Sequence, residues 1–193
     1  MKQMKKYTLI IIALFLVQHI GFCQAPANDL EITGVISCGN ALPISGAVVY
    51  LKDASGDIVD TTFSDSSGDY KFTGLLQGNS YSIEGAYNDP ELSGLSTFDM
   101  VLIARHILAV SPLVGAQAMA ADFNNSGSVT TFDMVQLRLL ILGIENAPYR
   151  ISPEWLFLNA NTNQKIGLFT LSDNLNLDIT AIKRGDINFN ACP

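Results

Sequence analysis

Asp122, Asn124, Ser126, Ser128, Thr130 and Asp133 set oxygen-bearing side chains along one polar stretch of this chain, with Gly127 in its middle. Calcium is held by six to eight oxygens, and a twelve-residue loop supplies them from positions 1, 3, 5, 7, 9 and 12, with glycine at position 6 for the sharp turn. Counted from Asp122, every slot is filled, position 7 offering its backbone carbonyl. With only two carboxylates in the set, the expected affinity is roughly 10⁻⁴ to 10⁻³ M and the expected role of the ion is structural. A metal-free Asx-rich turn that caps a helix is the alternative reading of the same residues.

The segment around this loop is duplicated. Ser96-Thr97-Phe98-Asp99-Met100-Val101 recurs as Thr130-Thr131-Phe132-Asp133-Met134-Val135, and Ile107-Leu108 as Ile141-Leu142. The unit is a loop followed by a helix. Before the first copy, Asp89, Glu91, Ser93, Ser96 and Asp99 form a weaker candidate ligand set around Gly94. One residue is missing there between glycine and final acid, which breaks the alternation that aims side chains at one ion. Near the C-terminus, Asp186-Ile187-Asn188-Phe189-Asn190 holds positions 1, 3 and 5 of a further loop but stops before a position 12. A polar turn closing the chain is the plainer reading of that ending.

These residues need elements to place them. Phe98 to Val110 and Phe132 to Leu142 are apolar on nearly every face, so part of that surface must pack on the rest of the chain or on a partner. From Leu30 to Tyr87 the pattern has period two, with strands expected at Ile32 to Ile36, Ala47 to Leu51, Ile58 to Phe63, Tyr70 to Leu75 and Tyr81 to Ala86. Ala54-Ser55-Gly56-Asp57 and Asp65-Ser66-Ser67-Gly68-Asp69 carry the Gly and Asx residues that tight hairpins need. An antiparallel sandwich follows, its Tyr50, Tyr70, Phe72, Tyr81 and Tyr87 read as half-buried strand aromatics. Residues 151–193 read as short strands at Trp155 to Leu158, Ile166 to Leu171 and Leu177 to Ile182.

The order Ile32-x-Gly34, Pro43-Ile44-Ser45-Gly46-Ala47-x-Val49-x-Leu51, Asp65-x-x-Gly68-x-Tyr70-x-Phe72 and Gly78-x-x-Tyr81-x-Ile83 resembles the prealbumin-like modules of secreted bacterial proteins. These include the B-type repeats of collagen adhesins and carboxypeptidase regulatory-like domains. The resemblance implies a spacer or adhesion module without catalysis. Lys52 lacks the surroundings of the isopeptide lysines found in some of them and reads as solvated. The second loop, ending in Asp133 where standard EF-hands have Glu, resembles dockerin modules of polysaccharide-degrading assemblies, as do the duplication and the missing helix before the loop. That resemblance covers about residues 88 to 143. In dockerins, positions 10 and 11 contact a cohesin; the matching residues are Thr131 and Phe132, and by symmetry Thr97 and Phe98. Two Phe depart from the short or polar pair usual there, and packing within the chain is the alternative.

Composition bounds the rest. A net charge of −7 argues against nucleic acid, which needs clustered Lys and Arg. Lys2, Lys5 and Lys6 before the apolar run from Tyr7 to Val17 have the layout of a secretory leader over residues 1–23, so the mature chain is expected not to span a membrane. A retained anchor or lipidation at Cys23, after Phe22, are the lesser readings. Export would leave Cys38 and Cys192 where disulfides persist. A bridge would contribute on the order of 5 kcal/mol; free thiols or links between chains are the alternatives. His106, without a Ser or Cys nucleophile motif, reads as a helix-surface residue, and no enzyme is expected.

The expected organisation is multi-domain β plus α: leader 1–23, prealbumin-like β-sandwich 24–87, all-α dockerin-like module 88–150 and short β tail 151–193. The expected function is a secreted or cell-surface bacterial, non-catalytic calcium-binding interaction module. Its partner would be a cohesin-like or other extracellular protein, with polysaccharide reached only indirectly. The alternative is a structural linker or shortened piece of a larger adhesin-like surface protein, with calcium used only for rigidity.

Overall fold

A computed structural model describes residues 29–192, so the leader and Cys23 lie outside the described residues. Five strands come first: β1 (Leu30–Cys38), β2 (Val48–Asp53), β3 (Ile58–Phe63), β4 (Asp69–Leu75) and β5 (Ser80–Ala86). Three helices follow, α1 (Thr97–Ile107), α2 (Ala116–Ala121) and α3 (Thr131–Ile141). The chain ends in β6 (Trp155–Asn159), β7 (Phe169–Thr170), β8 (Leu175–Asn176) and β9 (Ile179–Lys183).

Alternation turns one face of β1, β2, β4 and β5 inward, while β3 is an exposed edge strand without a buried residue. Ile32, Ile36, Val49, Leu51, Tyr70, Phe72, Tyr81 and Ile83 all fall in one buried cluster between two sheets. At the β2–β3 hairpin, Asp53 Oδ1 accepts from Ser55 N at 2.8 Å and Asp57 N at 3.1 Å. Asp65 makes the same bonds to Ser67 N and Asp69 N, but β3 and β4 lie in different sheets. The second turn is therefore a corner between sheets, where the sequence suggested a hairpin.

The tail departs from its expected separateness. One sheet runs β4-β1-β9-β6, with β8 also on β1, and the other runs β3-β2-β5-β7. Residues 151–193 thus furnish strands to both sheets, and β9 sits in the middle of one. The pairings of β1 with β8 and with β9 are parallel, so the sandwich is mixed where a purely antiparallel one was expected. Phe157, Leu171, Leu177, Ile179 and Ala181 join the same buried cluster as the early strands. Two glycines make room for them: a Cβ on Gly34 would overlap the Leu177 carbonyl, and one on Gly85 would overlap the Phe157 ring.

Residues 88–150 therefore form an insertion between β5 and β6 of one sandwich, with three short helices where a loop-helix pair was expected. Leu95, Ile103, Leu113, Ala121, Phe123, Leu137 and Leu140 bury one another together with Ile187 from beyond β9. A third cluster unites Ala120 with Leu156, Leu158, Ile182 and Phe189. The buried helix faces pack on one another and on Ile187 of the tail, while Phe98, Val101, Leu108, Val135 and Leu142 stay exposed. Among the described residues no helix is long and apolar enough to cross a membrane.

Candidate metal site

Capping positions both repeated acids. Ser96 and Thr130 are the N-caps of α1 and α3, each accepting from the backbone N–H two residues on, at 3.2 Å. Asp99 and Asp133, at the third helical position, accept in return from the cap N–H at 2.9 and 2.8 Å. This is the reciprocal capping box, with Asp in the place of Glu. Both carboxylates are wholly buried.

In the second loop, Asp122 Oδ1 accepts from Ser126 N at 2.8 Å and Oδ2 from Gly127 N at 2.7 Å. Asn124 Oδ1 accepts from Ser126 N at 2.9 Å, and Ser126 Oγ donates to the Ser128 carbonyl at 3.1 Å. Asp133 Oδ1 accepts from Asn124 N at 3.2 Å. Every donor atom in this set is oxygen, which fits a hard cation. Asp122, Asn124, Ser126, the Ser128 carbonyl and Asp133 are the residues that would hold it, and calcium there would supply charge neutralisation and stiffness. Thr130 differs from its expected role, because its hydroxyl is committed to the helix cap and to Asp133 Oδ2 at 2.9 Å.

The first loop is not a cage. The Asp89 carboxylate accepts from Lys183 Nζ at 2.7 Å and from Trp155 Nε1 at 2.7 Å. Glu91 pairs with Arg150 at 2.9 Å, and the Ser93 carbonyl accepts from Lys183 Nζ at 3.1 Å. Asp89 and Ser93 bind the tail and Glu91 the end of the insertion, so the expectation that Asp89, Glu91 and Ser93 surround an ion with Ser96 and Asp99 is corrected. Asp99 instead accepts from Ile187 N at 2.9 Å.

Thr97, Phe98, Thr131 and Phe132 are all exposed. Phe132, 40% exposed, forms a T-shaped pair with Tyr149 at 5.4 Å between ring centroids, and Phe98 is 53% exposed, so neither is buried inside the chain. His106 Nδ1 accepts from Leu113 N at 2.8 Å, a structural bond at the end of α1. Lys52 pairs with Glu84 at 2.6 Å on the surface. Cys38 and Cys192 form a disulfide, their Cα atoms 6.2 Å apart.

Sequence reasoning missed Lys183 and Arg184. Arg184 donates to the Asp122 carbonyl at 2.6 Å and to Asn125 Oδ1 at 2.7 Å, so it holds the second loop as Lys183 holds the first. Both are buried cations on neighbouring residues. Their adjacency to Gly185-Asp186 was the only local signal.

Residues 27–96 match the SdrD B-like domain family. Over 52 residues the chain is 48% identical to serine-aspartate repeat-containing protein F of Staphylococcus epidermidis, a match that takes in 27% of this chain and 3% of that protein. The chain thus spans a small part of the length of that relative. Among solved structures it is similar to the major pilin subunit BcpA of Bacillus cereus, 26% identical over 32% of this chain and 21% of that one, with a TM-score of 0.29. It is also similar to a streptococcal ancillary pilin, 10% identical over 82% of this chain and 33% of that one, with a TM-score of 0.32. The first part of the chain is thus similar to the SdrD B-like domains and supplies strands to a prealbumin-like β-sandwich.

Proposed function

We propose that this chain is a non-catalytic structural module of a larger bacterial surface protein of adhesin-like type, and that calcium in the dockerin-like loop Asp122 to Asp133 serves rigidity. The observation that carries this reading is the bond from Arg184 to the Asp122 carbonyl. It joins the loop to the end of β9, a central strand of the sandwich, so an ion ordering the loop also fixes the insertion on the sheets. The SdrD B-like match over residues 27–96 supports the surface setting.

Thermal unfolding with and without calcium tests it. At 10 mM calcium and a Kd of roughly 10⁻⁴ to 10⁻³ M, linkage gives about 1.4 to 2.7 kcal/mol. For a chain of this size that raises Tm by about 3 to 10 °C. The gain should vanish in Asn124→Ala/Ser126→Ala, two positions outside the buried core. An equal gain in that variant, or none in the parent, would contradict calcium rigidity at this loop.

The exposure of Phe98 and Phe132 favours a second reading, in which the helix face carries a protein partner. Saturable capture of one extracellular protein by the parent, lost in Phe98→Ser/Phe132→Ser, would support it. Unchanged capture by the variant would contradict it.

A further inference from the structure

The edge strand β3 stands uncovered. Val49 and Leu51 of β2 point into the core, so Val48, Tyr50 and Lys52 lie on the outer face, and with them their partners on β3, Phe63, Thr61 and Ile58. Ile58, Val59 and Phe63 are 55, 52 and 63% exposed. Apolar edge strands are normally covered or blunted. Here the blunting acts on the backbone: Asp60 Oδ1 accepts from Thr61 N at 2.7 Å, and the register with β2 shifts beside Lys52. What the edge offers is therefore side chains rather than strand pairing. Its charges are Asp57 and Asp60, both exposed, and among the described residues neither has an ion-pair partner. Lys52, across from Ile58, is held by Glu84.

The helix faces are the reverse in charge. The exposed residues of α1 are Thr97, Phe98, Val101 and Arg105, and those of α3 are Thr131, Phe132, Val135 and Arg138. Asp99 and Asp133, the acids of these helices, are buried in the caps. Each stripe is thus apolar and positive, on a chain whose net charge is −7. Among the described residues Arg105 and Arg138 have no ion-pair partner.

Like charges decide how such surfaces meet. A two-fold contact sets a surface on its own copy, so joining through the helix faces brings Arg to Arg, and joining through β3 brings Asp to Asp. A helix face on the β3 edge instead sets Arg beside Asp and apolar on apolar. The two surfaces lie apart in the fold. The insertion packs through Ala120 on Leu156, Leu158 and Ile182 of β6 and β9, at one end of their sheet. β3 ends the other sheet and turns by a short corner into β4, at the far end of the first.

We propose that the occupant of each surface is a second copy of this chain, the helix face with Arg105 and Arg138 of one molecule seating on the Ile58 to Phe63 edge of the next. The contact is heterologous and leaves one free surface at either end of a pair, so copies add head to tail. The proposal rests on the reading that the helix face takes a protein, and it names that protein.

Sedimentation velocity of the purified protein in calcium tests it, with concentration stepped to about 1 mM, the weak end of the affinity scale. The parent should grow past the dimer as concentration rises. Arg105→Asp/Arg138→Asp and Asp57→Arg/Asp60→Arg should each stay monomeric, with circular dichroism and melting like the parent's. Their equimolar mixture should associate again, because each reversed surface then finds one reversed to match. Phe98→Ser/Phe132→Ser mixed with Val59→Ser/Phe63→Ser should stop at a one-to-one pair. Growth of the parent that ends at a dimer, or reversed chains that stay monomeric when mixed, would overturn the head-to-tail contact. A monomeric parent that still captures another extracellular protein through Phe98 and Phe132 would overturn it and leave the helix-face reading standing. Association of the parent that Arg105→Asp/Arg138→Asp and Phe98→Ser/Phe132→Ser both leave unchanged would overturn the proposal and remove the helix face from it.

Discussion

Lys183 shows how far the meaning of a side chain lies from its neighbours in sequence. Its ammonium, 1% exposed, meets Asp89 and the carbonyls of Pro90 and Ser93 across 94 residues of sequence or fewer. Asp89 looks like a metal ligand in the sequence because its partner is so distant. Replacing Lys183 by Met would strand a largely buried carboxylate, for which a cost of about 3 to 5 kcal/mol is expected; urea unfolding should show the midpoint falling accordingly. Tyr70 gives a pH prediction. Burial, and secondarily the Asp178 charge, push its phenol up from the usual 10.0, and its hydroxyl donates to the Leu177 carbonyl at 2.6 Å. A group raised on folding stabilises fully below its unfolded value, and that contribution fades as pH rises toward the folded one. Stability should therefore fall as pH climbs above 10, and less steeply in Tyr70→Phe, by denaturant titration at stepped pH. A parallel fall in both proteins would exclude Tyr70 as the cause.

At the scale of elements, β1 to β5 were legible to within two residues because alternation is a local signal: one face of β1, β2, β4 and β5 meets the core and every second residue reports it, while β3, exposed throughout, was legible from its β-branched residues between turn signals. α1 and α3 were legible through repetition and their apolar runs; their capping boxes came only with the structure. β7 and β8, two residues each, carry no period at all, and α2 is an Ala-rich turn and a half between two stronger helices. The placement of β9 beside β1 was not legible either, since its register is set by contacts with residues more than a hundred positions earlier, such as Ile36 with Ile179. Gly85 tests that docking. A methyl group there must displace the Phe157 ring, so Gly85→Ala should cost about 1 to 3 kcal/mol. Gly78→Ala, where nothing stands within reach but φ is 86°, separates crowding from backbone strain. Combining Gly85→Ala with Phe157→Leu should recover part of the loss if crowding is its source.

For the whole molecule, the candidate loop at Asp122 was legible as a string of oxygens, whereas the grip of Arg184 on it exists only in three dimensions. The C-terminal segment crosses one sheet, holds both loops and ends in the disulfide to β1. Closing a loop of sequence separation 154 is worth on the order of 5 kcal/mol in the chain-entropy model. Cys38→Ser/Cys192→Ser should therefore lose several kcal/mol, and reduction of the parent should move its melting to that of the variant. Because the tail belongs to every part, sandwich and insertion should unfold together. Trp155, the only tryptophan, stacks edge-on with Tyr87 at 5.2 Å and reports on the sandwich, while far-UV circular dichroism near 222 nm reports mainly on the helices. The most direct measurement is thermal unfolding followed by both signals, in chelator and in about 10 mM calcium, well above the affinity expected of such loops. Coincident transitions that move up together with calcium are the expected result. A helix signal lost well before the Trp155 signal, with calcium shifting neither, would contradict a calcium-stiffened structural unit.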